Sequence, residues 1–197
     1  MHPVTRSSLP DTIFSAERVA PVVVVTVRIE LFLKAGRRLE KSWVCLVVTE
    51  FILKKEQWIP RPLAKVFPFF SEARNLEMLT PPWLKFEVLT PAPIVMRPGT
   101  LIDYRIRIHG LPIRWRTEII EWDPPHRFVD VQLHGPYSLW HHTHTFTERD
   151  GGTCCRDEVR YCPRGGALMN WLFVRRDVER IFQYRHQRLT EIFGTTV

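Results

Sequence analysis

The segment SLWHHTHTFTE, residues 138–148, places three histidines within four positions: His141, His142 and His144. Imidazole moves protons, ligates metals and orients ligands near neutral pH, so the first question is which rings can act together. Alternate residues of a strand share a face. Trp140, His142, His144 and Phe146 therefore lie on one side, and His141, Thr143, Thr145 and Thr147 on the other, which reads as solvent-facing. The three rings cannot form a single site. His142 and His144 can act as a pair; His141 stands apart.

Two carboxylates are candidate partners for that pair. In TCCRDEVRYC, Cys155, Asp157, Val159 and Tyr161 oppose Cys154, Arg156, Glu158 and Arg160, which turns Asp157 inward. A buried carboxylate needs a partner, and an interior imidazole on a neighbouring strand supplies one. In RFVDVQLH the sets are Phe128, Asp130 and Gln132 against Val129, Val131 and Leu133. Hydrophobicity alone sends the valines inward. A carboxylate beside His142 or His144 would fix its tautomer and raise its basicity, as general acid–base work requires. His142, His144 and one Asp could also converge on a metal ion, but H-x-H is a weak signal and no metal or other cofactor is expected. No G-x-S-x-G nucleophile motif occurs, and no catalytic residue is assigned.

The elements that must position these residues follow from periodicity and turn signals. TEFILKKEQWI alternates as a strand that Pro60 ends. Pro62 suits the start of a short helix over PLAKVFPFF, which Pro68 should kink or shorten. SEARNLEMLT reads as a second short helix with Ser71 as N-cap. Strands then succeed one another: LKFEVL, TLIDYRIRIH and IRWRTEIIEW around GLP, HRFVDVQLH and YSLWHHTHTFTE around GP, and TCCRDEVRYC after RDGG. After PRGG the period changes, and Leu168, Trp171, Leu172, Val174, Val178, Ile181, Phe182, Leu189 and Ile192 mark one helical face. Grouped strands with helices at the ends indicate an α+β domain. About six or seven antiparallel strands would curve around the apolar face of the long C-terminal helix.

Within TLIDYRIRIH and IRWRTEIIEW the apolar sets Ile102, Tyr104, Ile106, Ile108 and Ile113, Trp115, Thr117, Ile119 face inward. Arg105, Arg107, Arg114 and Arg116 then form an outward basic stripe, an ordinary charged face or a place of transient contact with acidic headgroups. The chain of 197 residues carries a net charge of +7, but no block of like charges, so nucleic acid is not an expected partner. The apolar run VAPVVVVTV, residues 19–27, is about half the ~20 residues a membrane span needs. The RIELFLKAGRR that follows does not fit a signal peptide. Four cysteines form no C-x-x-C pair, which suits free thiols and a cytoplasmic location. Oligomeric state is not legible.

Taken together, EQWIPRPLAKVFPFFSEARNLEMLTPPWLKF, GTLIDYRIRIHGLPIRWRTEIIEWDPPHRFVD, GPYSLWHHTHTF, DEVRY and FVRRDVERIFQYR resemble the START-like, or SRPBCC, superfamily with its helix-grip fold. The resemblance is greatest to bacterial members described as polyketide cyclase/dehydrase or coenzyme Q-binding. It spans about Thr49 to Phe193 and implies a ligand-binding domain over 49–195. Residues 1–48 have no counterpart and read as an N-terminal extension, with translation expected to start at a non-Met codon near Val47 or Val48. The resemblance implies an internal cavity for a hydrophobic ligand and turns Asp130 and Gln132 inward, against the hydrophobic reading. The expected cavity residues are Tyr104, Trp115, Asp130, Gln132, Trp140, His142, His144, Asp157 and Tyr161: aromatic walls with a few converging polar groups. Its opening is expected between the C-terminal helix and the short helices near Phe69–Leu79. The leading function is binding of a lipid, isoprenoid, quinone or polyketide-like molecule as carrier or sensor. The alternative is a cyclase or dehydratase that uses a cavity His–Asp pair.

Overall fold

The period-2 stretch beginning at Phe51 forms one edge of a large antiparallel sheet in a computed structural model that describes residues 22–29 and 42–194. Ahead of it, β1 (Val22–Ile29) and β2 (Ser42–Thr49) pair antiparallel as a separate two-stranded sheet. The sequence reading assigned no strands there. The rest of the 1–48 extension, including the expected start near Val47 aside from its backbone in β2, lies outside the described residues or their side chains.

The main sheet contains β3 (Phe51–Ile59), β4 (Glu87–Val88), β5 (Leu101–Ile108), β6 (Leu111–Asp123), β7 (Arg127–His134), β8 (Tyr137–Arg149) and β9 (Gly152–Pro163). Its spatial order is β3-β9-β8-β7-β6-β5-β4. Sequence neighbours from β4 to β9 are spatial neighbours, and from β5 onward short turns suffice. The β5–β6 turn is His109–Gly110 and the β8–β9 turn is Asp150–Gly151, with all four residues at positive φ. That is the backbone a two-residue hairpin with matching twist needs, and Gly in second place adopts it without steric cost. β3, first in the chain, joins the sheet at the far edge by pairing with β9.

Between β3 and β4 run α1 (Leu63–Ser71), a 3₁₀ turn (Ala73–Asn75), α2 (Leu76–Leu79) and a second 3₁₀ turn (Pro82–Leu84). Pro68 lies inside α1, exposed, and the helix passes through it. Ser71 is not the N-cap expected of it: its hydroxyl donates back to the Phe67 carbonyl at 2.8 Å, closing α1. Glu72 accepts from the Arg74 backbone N–H instead.

The C-terminal helical run covers 166–193 as α3 (Gly166–Met169), a π turn (Asn170–Val174) and α4 (Arg175–Phe193). A π turn inserts an extra residue into the helical repeat, so the apolar stripe slips at this point. Val178, Phe182 and Leu189 are buried against the sheet, whereas Leu168, Trp171 and Leu172 are exposed. The single continuous face read from the sequence is therefore two. Three apolar clusters surround the sheet's concave side: Phe67, Phe70, Phe128, Phe146 and Leu189; Tyr137, Val159, Tyr161, Val178 and Phe182; and Val88, Ile102, Tyr104 and Ile119. Gln57 on β3 fastens α4 to the sheet, donating to the His186 carbonyl at 3.1 Å and to Thr190 Oγ1 at 3.0 Å. On the convex side the basic stripe is half neutralised, because Arg105 pairs with Glu87 and Arg116 holds Asp103 through two bonds of 2.7 and 2.8 Å.

Candidate functional site

Register in the sheet centre decides the site. Asp130 on β7 lies opposite His142 on β8, and Asp157 on β9 lies opposite His144. All four project to the concave side, so each carboxylate meets the histidine across from it and the one diagonal to it. His144 Nε2 lies 3.2 Å from Asp130 Oδ2, and His142 Nε2 lies 3.0 Å from Asp157 Oδ1. The cross contacts are His144 Nδ1 to Asp157 Oδ1 at 2.8 Å and His142 Nδ1 to Asp130 Oδ2 at 3.7 Å. The imidazole centroids are 3.8 Å apart. Phe128 stacks on His144 at 4.1 Å and Phe182 closes on His142 at 5.6 Å. Both histidines are buried.

Above this quartet stands Arg185. Val178, Phe182, Arg185 and Leu189 form the buried stripe of α4, so the arginine occupies a core position. It is 8% exposed. Its guanidinium lies over Phe70 and Phe182 at 5.5 and 5.8 Å, and makes no hydrogen bond or ion pair among the described residues. Its charge nevertheless reaches the quartet. Burial opposes ionisation of Asp157, but Arg185 and then the two histidines outweigh it and hold the carboxyl well below its usual range. Asp130 is likewise held low against burial, chiefly by the His144 hydrogen bond. The histidines diverge. Burial and the neighbouring His144 lower His142, whereas the hydrogen bond to Asp130 and the close Asp157 carboxylate raise His144 despite burial.

The opposed directions make His144 the ring of this coupled pair that takes a proton first. With that proton bound, two carboxylates, one guanidinium and one imidazolium sum to zero. Asp130, His142 and His144 also offer three ligand atoms within 4.8 Å of one another, a spacing a divalent ion could bridge. On neutral histidines such an ion would leave a buried positive charge beside Arg185, which is costly. Protons balance the site better than a metal does.

Asp130, His142, His144 and Arg185 form the polar end of a cavity of about 180 Å³ lined by Phe70, Ile102, Tyr104, Ile119, Trp140 and Phe182 among others. An apolar cavity of about 150 Å³ takes a benzene ring, so this chamber has room for one ring or a short acyl segment. A second opening of about 660 Å³ lies between α4 and the β5–β6 hairpin and shares Leu84, Ile108, Tyr137 and Ile181 with the chamber. A third space of about 220 Å³, between α4 and β3, meets the chamber at Arg185.

The sequence profile of the family described as "Polyketide cyclase / dehydrase and lipid transport" matches residues 59–183, well over half of the chain. The chain belongs to this family. That membership carries a hydrophobic ligand-binding role, and it is of the START-like superfamily. No curated protein matches the chain. Among solved structures, Ara h 8.0201 is similar with a TM-score of 0.56 and 16% identity over 73% of this chain and 97% of that one. Protein CV1439 from Chromobacterium violaceum gives 0.58 and 14% over 74% and 98%. Protein Ms6760 from Mycobacterium smegmatis gives 0.54 and 20% over 72% and 89%. At these identities the likeness establishes the helix-grip fold and no more.

Of the nine residues expected at the cavity of this family member, Tyr104, Trp115, Asp130, Trp140, His142 and His144 line the chamber. Asp157 lies behind the histidines and faces the space beside β3. Gln132 does not reach the chamber; it closes the β7–β8 turn, donating to the Tyr137 carbonyl at 2.8 Å. Tyr161 packs in the core cluster of Tyr137 and Phe182 rather than on the wall, and burial pushes its phenol up to about 12. His141 lies on the opposite face, half-buried. Arg185 escaped the sequence reading. Its signal was present, because positions 178, 182, 185 and 189 keep helical core spacing straight through it.

Proposed function

We propose that the chamber binds an apolar molecule whose polar end is a neutral hydrogen-bond acceptor, such as a ring or chain carbonyl. This would be a quinone, isoprenoid, lipid or polyketide-like ligand that the protein carries or senses. One observation carries the reading: Arg185, buried and with no acceptor for its Nε, borders an apolar chamber. Unsatisfied buried donors cost free energy. An acceptor oxygen supplies the missing partner without adding charge to a cluster that balances once His144 is protonated. A carboxylate would add one, and that argues against fatty acids. A cytoplasmic setting accords with the three buried free thiols Cys154, Cys155 and Cys162. No helix among the described residues is long and apolar enough to cross a membrane.

The divergence of His142 and His144 favours a second reading, a cyclase or dehydratase. Two adjacent groups with pKa values pushed apart supply a base and an acid at one pH, and Arg185 would polarise the substrate carbonyl beside them.

The test is native mass spectrometry of the gently purified chain, followed by extraction of whatever is bound. A co-purifying neutral carbonyl compound supports binding; a fatty acid overturns the neutral-acceptor assignment. A zinc-sized or iron-sized mass would make the quartet a metal site. If the extracted compound returns from incubation dehydrated or cyclised, the enzymatic reading holds.

A further inference from the structure

From the first residue of α3 to the end of the π turn, the chain reads GALMNWLFV, and its large apolar side chains point outward. Trp171 is 77% exposed and Leu168 64%, with Met169, Leu172 and Phe173 also exposed. A helix that is apolar all round is normally buried. At the neighbouring hairpin tip Leu111 is 69% exposed. The two projections are joined: His109 Nε2 lies 2.7 Å from Asp177 Oδ2, and its ring lies 6.1 Å from that of Phe173. Together they make one apolar ridge.

Cations surround it. Arg107, Arg164 and Arg176 are exposed and make no ion pair among the described residues. The acidic groups nearby are engaged, Asp177 by His109 and Glu179 by Arg175. Apolar side chains with an aromatic at the tip and a basic rim are the composition of an interfacial membrane segment. The ridge also borders the larger opening, whose walls include Met169, Phe173, Arg107 and Arg164 and which shares four residues with the inner chamber.

We infer that the protein docks on anionic bilayers through this ridge, with Leu168, Trp171 and Leu172 entering the acyl boundary and Arg107, Arg164 and Arg176 meeting headgroup phosphates. Docking sets the opening against the lipid, so an apolar ligand passes between bilayer and chamber without crossing water. The site meets the convex stripe of Arg105, Arg107, Arg114 and Arg116 only at Arg107, and Arg105 and Arg116 of that stripe are already paired. It goes beyond the ligand-binding reading, and docking does not depend on what the chamber holds.

The test is co-sedimentation of the full chain with phosphatidylcholine vesicles with and without phosphatidylglycerol, at low and high salt. Binding should require the anionic lipid and weaken with salt. Trp171→Ser with Leu168→Ser should lower the partition coefficient about ten-fold or more, and Arg176→Glu should lower it about five-fold or more. None of these residues lines the chamber, so Nile red binding in the absence of vesicles should be unchanged; that measurement separates loss of docking from loss of the fold or of the cavity. Failure of the full chain to sediment with anionic vesicles overturns the inference. So does binding that survives the double substitution, or a ridge found instead to join two copies of the chain in light scattering.

Discussion

Asp157 touches both histidines of the site through one oxygen, His144 Nδ1 at 2.8 Å and His142 Nε2 at 3.0 Å. It faces His144 across the β8–β9 ladder and reaches His142 on the diagonal. A single side chain on a neighbouring strand thus hydrogen-bonds one ring and sets its charge against the other.

Replacing that carboxylate tests its role. Asp157→Asn should destabilise the protein by about 3 kcal/mol, the scale for breaking a buried charged pair. The His144 pKa should fall at the same time, since Asp157 helps to raise it. Urea denaturation and imidazole NMR titration measure the two effects. An unchanged His144 titration would refute the assignment.

The pH dependence of stability has three limbs. His144 is raised, so its contribution is complete below its unfolded value of about 6.5 and is lost as pH rises through the folded value. His142 is lowered, so its contribution is present above about 6.5 and lost as pH falls through the folded value. Asp157 is held well below the usual carboxylate range and Asp130 below it, so their contributions are present above the unfolded value of about 3.9 and lost as pH falls through the folded values. Denaturation midpoints across pH should therefore fall on both sides of neutrality. His142→Asn should remove the limb just below neutrality and His144→Asn the alkaline one. A profile flat between about pH 5 and about pH 8 would contradict the coupled pair.

Arg185→Met tests the cation directly. Its charge is the foremost cause that holds Asp157 low, so removing it leaves two buried carboxylates short of a partner and should cost about 3 kcal/mol, as breaking one side of a buried charge cluster does. Affinity of the folded variant for a carbonyl ligand such as Nile red should fall about ten-fold or more, the scale of a bond to a charged donor. Equal affinity would remove Arg185 from the site.

The clamp between α4 and β3 is a third target. Gln57→Ala loses the bonds to the His186 carbonyl and Thr190 Oγ1, and should cost about 1–2 kcal/mol. By contrast Phe146→Ala, at 1% exposure in the centre of the core, should cost about 3–5 kcal/mol. Chemical denaturation ranks them, and a reversed order would mean that the helix grip outweighs core packing.

The sequence by itself determined the succession of elements from β3 to α4, the α+β class, the face shared by His142 and His144, and the inward turn of Asp157. All of these depend on period and local turn chemistry, which a strand or helix expresses without its neighbours. The direction of Asp130 was not such a property. Val129 and Val131 compete with it for the core, and the register that sets Asp130 opposite His142 settles the matter. Tertiary structure also decided Arg185, because one charged residue within an apolar stripe has no visible partner until β8 and β9 are folded beneath it. It separated Gln132 and Tyr161 from the chamber, since sharing a face of a curved sheet does not mean reaching the same cavity. It divided the C-terminal helix as well. Hydrophobic period cannot show a π turn, and that one extra residue leaves Trp171 in solvent while Phe182 is buried.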